Sequence, residues 1–93
     1  MTTIKLQPIV GNFAENKDKA REIRLTMVTP ALEGGESVIL DFQDVNSVTQ
    51  SFCHALLSEL IRNYGIDLLD RVSFANCTDE VKSIIETVID YMQ

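Results

Sequence analysis

A chain of 93 residues, 45% of them hydrophobic, suffices for one domain with a single modest core. Its net charge of −6, from 14 acids against 8 bases, repels phosphate backbones and anionic lipid surfaces. Nucleic acid and membrane are therefore excluded as partners, and a protein with a basic surface fits the charge better. The apolar runs fall far short of the ~20 residues of a membrane span, and Met1–Pro8 has no apolar h-region of a secretory signal, so the cytoplasm is the expected compartment.

Thr3-Ile4-Lys5-Leu6 alternates polar and apolar and predicts a strand over residues 3–7. Pro8 and Gly11-Asn12 interrupt it, with Ile9-Val10 as the place where it resumes. Over residues 15–32, Ala20, Ile23, Met27, Val28, Ala31 and Leu32 recur at helical spacing and predict an amphipathic helix with this stripe on the core. Lys17, Arg21, Glu22 and Arg24 lie off the stripe. Pro30 lacks an N–H and clashes with the preceding turn, so a kink or break is expected near Val28-Thr29. Gly34-Gly35 ends the segment.

Val38 to Phe42 is apolar at nearly every position, the pattern of a strand covered on both faces. A polar loop, residues 43–50, leads into a second helix over 51–64. Phe52, Leu56, Leu60 and Tyr64 mark its core stripe, widened by Ala55, Leu57 and Ile61, and Gly65 is its C-terminal cap. Val72–Ala75 reads as a strand. Thr78 then caps a third helix, in which Val81, Ile84, Ile85, Val88, Ile89 and Met92 keep helical period. Asp79 and Glu80 suit its first turn, where the helix dipole favours negative charge. The order β-α-β-α-β-α predicts a small α/β domain spanning residues 1–93, with a three- or four-stranded, mostly parallel sheet and three main helices. A sheet this small leaves an edge or a face uncovered, a surface for a homodimer or another partner.

Function is expected where the central strand hands over to the second helix. Ligands of open α/β sheets meet the carboxyl ends of the strands. Asp41 stands at such an end, and Asp44, Asn46, Ser47, Thr49, Gln50 and Ser51 follow it. Ser51 has two compatible roles, N-cap of the helix and phosphoacceptor, since free N–H groups and the dipole favour a phosphate there. Thr49 is the second candidate phosphoacceptor. Asp41 and Asp44 would repel a nearby phosphate unless a cation or basic partner intervened. Asp41, Asp44, Gln50, Ser51 and His54 make up the expected partner surface.

Nothing in the sequence points to catalysis or a cofactor. His54 is the only histidine, and its neighbour Cys53 points elsewhere on a helix. Cys53 and Cys77 are too few and too far apart for a disulfide scaffold or a zinc site, and read as buried thiols. There is no phosphate loop, dinucleotide fingerprint or zinc-protease motif. No metal and no cofactor are expected. A phospho-receiver domain would place an Asp as Asp41 is placed. It also needs an acidic pair after the first strand, where this chain has Gly11-Asn12-Phe13, and a Lys after a late strand, where none follows Val72–Phe74.

Leu40-Asp41-Phe42, Ser51-Phe52 and Phe74-Ala75-Asn76, in this order and spacing, resemble the STAS-like domain family, relatives of anti-sigma-factor antagonists. The resemblance covers residues 4–90. It implies a small β-α superhelical domain that acts by protein–protein contact. The implied partner is an ATPase or kinase of the GHKL type, and phosphorylation of a Ser at the start of the helix after the Leu-Asp strand switches binding off. The classical switch motif is Asp-Ser-Ser-Gly, where this chain has Thr49-Gln50-Ser51-Phe52. In the simplest register Gln50 takes the acceptor place and Ser51 the second Ser. A shift by one puts Ser51 on the acceptor. The alternative role is a structural or oligomerisation subunit without a switch.

Overall fold

The alternating pattern folds around a short parallel sheet. In the computed structural model, which describes residues 1–92, β1 (Thr2–Lys5), β3 (Val38–Asp41) and β5 (Val72–Ala75) pair in parallel in the order β1-β3-β5. A separate parallel pair, β2 (Phe13–Ala14) with β4 (Ser47–Val48), joins the two loops that leave β1 and β3. These two-residue strands are too short to carry a period, and the sequence does not announce them.

The register assigns the two faces of the main sheet. Ile4, Leu40 and Phe74 lie abreast, as do Thr2, Val38 and Val72, and their face meets the core. Thr3, Ile39 and Ser73 lie abreast on the other face, where Thr3 and Ser73 are exposed and Ile39 is half-buried. The central strand, expected to be covered on both faces, is covered on one. Its neighbours place Thr and Ser beside Ile39, so too little apolar surface is gathered there to hold a second layer.

The stretch between β1 and β2 corrects another expectation. Ile9-Val10 does not resume a strand; Gln7–Val10 forms a single helical turn, α1. Pro8 lies in its first turn, where the missing N–H would have had no partner anyway.

The long amphipathic segment starts at Lys17. Asn16 caps α2 (Lys17–Ile23), its Oδ1 accepting from the backbone N–H groups of Asp18 at 2.9 Å and Lys19 at 3.3 Å. A π-helical turn, Arg24–Val28, follows, and then α3 (Thr29–Glu33), with Pro30 in its first turn. The expected disruption near Val28-Thr29 is this π turn, in which the Thr29 N–H reaches back five residues to the Arg24 carbonyl. One extra residue per turn advances the buried stripe by one place. The buried positions are Ala20, Ile23, Val28 and Leu32, so the step across the π turn is five, not four. Met27, expected on the stripe together with Val28, is therefore 41% exposed, and of the two only Val28 is buried.

Helix α4 (Gln50–Tyr64) runs through the middle of the core, burying Phe52, Leu56, Leu57, Leu60 and Ile61 against α2 and α5 (Asp79–Met92). Gly65, at φ +72°, ends it and donates to the Ile61 carbonyl at 2.7 Å. A 3-10 helix, Ile66–Asp70, then buries Leu68 and returns the chain to β5. Helix α5 starts as its sequence implies: the Val81 N–H donates to Thr78 Oγ1 at 3.1 Å, and Val81, Ile85 and Val88 are buried. Among the described residues, no helix is long and apolar enough to cross a membrane.

Phe52 is fully buried at the first turn of α4. Phe52→Ala is expected to destabilise the chain by about 3–5 kcal/mol, read by denaturant unfolding. An unchanged unfolding midpoint would contradict its place in the core.

Candidate functional site

Asp41 ends the central strand, and its carboxylate ties three segments together. Oδ1 accepts from the Gln43 backbone N–H and from Asn76 Nδ2, each at 2.9 Å. The first bond turns the chain out of β3. The second holds the loop after β5, where Asn76 sits at φ +57°, a left-handed conformation that Asn tolerates better than most residues. The Asn76 bond, then the Gln43 bond, and more weakly the charge of Lys5, hold the carboxyl below the usual Asp range. Asp41 is 8% exposed, covered by its own partners at the rim of the sheet. It therefore offers little surface, whereas Asp44 in the next turn is exposed.

Two further bonds stitch the same loops. Thr78 Oγ1 donates to the Asn46 carbonyl at 3.4 Å, and Ser47 Oγ to Glu80 at 3.3 Å. The Thr49 N–H donates to the Ala14 carbonyl at 3.0 Å. The chain thus enters α4 from a fixed position.

The cap of α4 is Thr49, and not Ser51 as expected. Thr49 is extended, and its Oγ1 accepts from the Phe52 N–H at 3.0 Å. The expected cap lay two residues too late because periodicity marks the first buried side chain, Phe52, while the helix backbone begins at Gln50. Thr49 is half-buried with its hydroxyl engaged, whereas Ser51, in the first turn, is exposed and its hydroxyl makes no hydrogen bond to a described residue.

The expected site residues divide between two grooves. Gln50, Ser51 and His54 line one of about 500 Å³, together with Lys17, Ala55, Thr87, Val88 and Tyr91. Asp41 and Asp44 line another of about 320 Å³, beside Lys5, Gln7, Pro8 and Gln43. Lys17 and the α5 residues were not singled out by their sequence. The available signal was that Thr87 and Tyr91 stand four apart on one helix and share a face.

Cys53 is buried as expected, whereas Cys77, also expected to be buried, is half-buried. Burial, with a smaller contribution from Cys77, pushes the Cys53 thiol up to about 12, and burial raises Cys77 as well. Among the described residues, no group of His, Cys, Asp and Glu is placed to hold a metal ion.

A family model described as the STAS-like domain of unknown function matches residues 19–82, more than half of the chain. The match runs from α2 to the start of α5, a narrower span than residues 4–90, and takes in Asp41, Ser51, His54 and Asn76. Comparisons with curated proteins and with solved structures give no match.

Thr49→Ala is expected to cost about 0.5–2 kcal/mol of stability, because the Phe52 N–H loses its acceptor. Ser51→Ala should stay within about 0.5 kcal/mol of the parent chain. Thermal unfolding of both variants checks the assignment, and the reverse order would return the cap to Ser51.

Proposed function

The chain belongs to the STAS-like domain family, and on that premise we propose that it is a non-enzymatic regulatory module that binds a GHKL-type ATPase or kinase-like protein through the start of α4. The observation that carries this reading is the state of Ser51. It is exposed at the first turn of a 15-residue helix, its hydroxyl is free of hydrogen bonds to described residues, and it shares a groove with Gln50 and His54. A kinase reaches such a hydroxyl without unfolding the helix, and the capping bond at Thr49 survives its modification. Thr49 is the poorer acceptor for the opposite reason: modifying it removes the cap.

Phosphorylation of Ser51 adds close to two negative charges at the partner surface. Asp41 and Asp44 line the other groove, so the carboxylates expected to oppose a phosphate do not line the groove that would receive it. The register of the classical motif also gains a physical argument. Gln50 has no hydroxyl, and of the two hydroxyl residues at the start of α4 only Ser51 leaves the cap intact. A phospho-receiver role for Asp41 draws no support from a carboxylate that is nearly covered and already accepts two hydrogen bonds.

The second reading is a structural or oligomerisation subunit, which the uncovered Thr3-Ile39-Ser73 face of the sheet favours. One experiment separates the two. The partner is recovered with the tagged chain from its native cell in the presence of ATP and Mg, and its affinity is measured by calorimetry. Ser51→Asp is expected to weaken binding by about tenfold, and Ser51→Ala to leave it unchanged. Equal affinity of the parent chain and both variants would remove the switch.

A further inference from the structure

The groove beside Ser51 departs from the charge of the molecule around it. Acids outnumber bases 14 to 8 in the chain, yet no Asp or Glu lines this groove. Lys17 and His54 line it instead, with Ser51, Thr87 and Tyr91, the Thr87 hydroxyl donating to the Ser83 carbonyl at 2.9 Å. Asp18, Glu86 and Asp90 are sequence neighbours of lining residues but do not line it themselves. Lys17 makes no ion pair among the described residues. Arg24, whose Nη1 donates to the carbonyl of Ala55 at 3.0 Å, does not itself line the groove. The remaining walls are apolar: Ala55, Val88 and the ring of Tyr91, which is 81% exposed.

We propose that this groove receives a short acidic segment of the protein partner, a carboxylate side chain against Lys17 and His54 with an adjoining apolar side chain against Val88 and Tyr91. Charge complementarity carries the assignment: one groove of an anionic protein is lined by no carboxylate and bears the unpaired charge of Lys17. The apolar walls favour a peptide over a bare anion, because a lone phosphate would leave Val88 and the Tyr91 ring without contact. The net charge favours a basic partner overall, and the groove adds that the segment seated here is acidic. The inference rests on the α4 start being the partner surface, and explains why a negative charge at Ser51 would oppose binding: it would compete for Lys17.

The test is an amide-shift titration of the full chain by NMR at low salt, with three probes. These are a blocked hexapeptide of alternating Glu and Leu, the same peptide with Gln for Glu, and inorganic phosphate. The Glu peptide is expected to shift the amides of Ser51, His54, Thr87 and Tyr91. The Gln peptide should do so weakly, and Lys17→Glu, an exposed change, should weaken the Glu peptide by about fivefold. Equal shifts with the Gln peptide, shifts confined to other surfaces, or an unaffected Lys17→Glu chain would overturn the proposal. So would phosphate reproducing the shifts while the Glu peptide does not, which would make the groove a small-anion site. The titration uses no ATPase. Retained peptide shifts with no ATPase recovered from cells would sink the GHKL partner alone, and ATPase binding unaffected by Lys17→Glu would sink the acidic segment alone.

Discussion

The Asp41 carboxylate is the constraint on which the rest of this small fold depends. A single oxygen, at the end of the central strand, accepts from the backbone that leaves β3 and from the Asn76 side chain that follows β5. The loop after β3 buries Phe42, Val45 and Val48 in the core, and hydrogen bonds at the carboxyl edge of the sheet tie it to the loop after β5. Asp41 to Asn76, Thr78 to Asn46, and Ser47 to Glu80 form a chain of ties between the loop before α4 and the loop before α5. The two motifs of the family pattern that flank this edge, Leu40-Asp41-Phe42 and Phe74-Ala75-Asn76, are thus one structural unit, joined by the Asp41–Asn76 bond.

The Thr49 N–H bond to the Ala14 carbonyl fixes the approach to α4, and the start of that helix separates two hydroxyls that stand two residues apart. Thr49 closes the helix, while Ser51 faces out. The first turn thus buries Phe52 completely and still leaves Ser51 and His54 exposed.

Much of the architecture was legible because long elements repeat their pattern. The stripes of α4 and α5, the Thr78 cap and the Gly65 terminus all follow from period and end signals. Failures came where one local residue changed the count. The π turn kept Val28 on the stripe and took Met27 off it, a choice that no constant period decides. Pro8 opened a helical turn instead of breaking a strand. The apolar run around Ile39 suggested two covered faces, but a face belongs to three strands at once, and Thr3 and Ser73 decided it from the neighbours. The site followed the same logic: Gln50, Ser51 and His54 are close in sequence and share a groove, whereas Lys17, Thr87 and Tyr91 reach it only through the packing of α2 and α5 on α4. These three lie outside the matched residues 19–82, so the wall they build is set by this chain's own flanking segments.

The claim that Asp41 acts as a charged tie is tested most directly by the unfolding free energy of the parent chain and of Asp41→Asn across acid pH. Asn keeps an oxygen for both donors, removes the charge, and replaces Oδ2, which accepts from no described residue, with an amide NH2. Because folding lowers the Asp41 pKa, the stability it adds is present above the ordinary carboxylate value of about 4, and is lost as pH falls through the lowered one. The account predicts a stability gap between the two chains that is constant near neutral pH and closes below about pH 4. A gap that stays level through acid pH, or no gap at any pH, would contradict it.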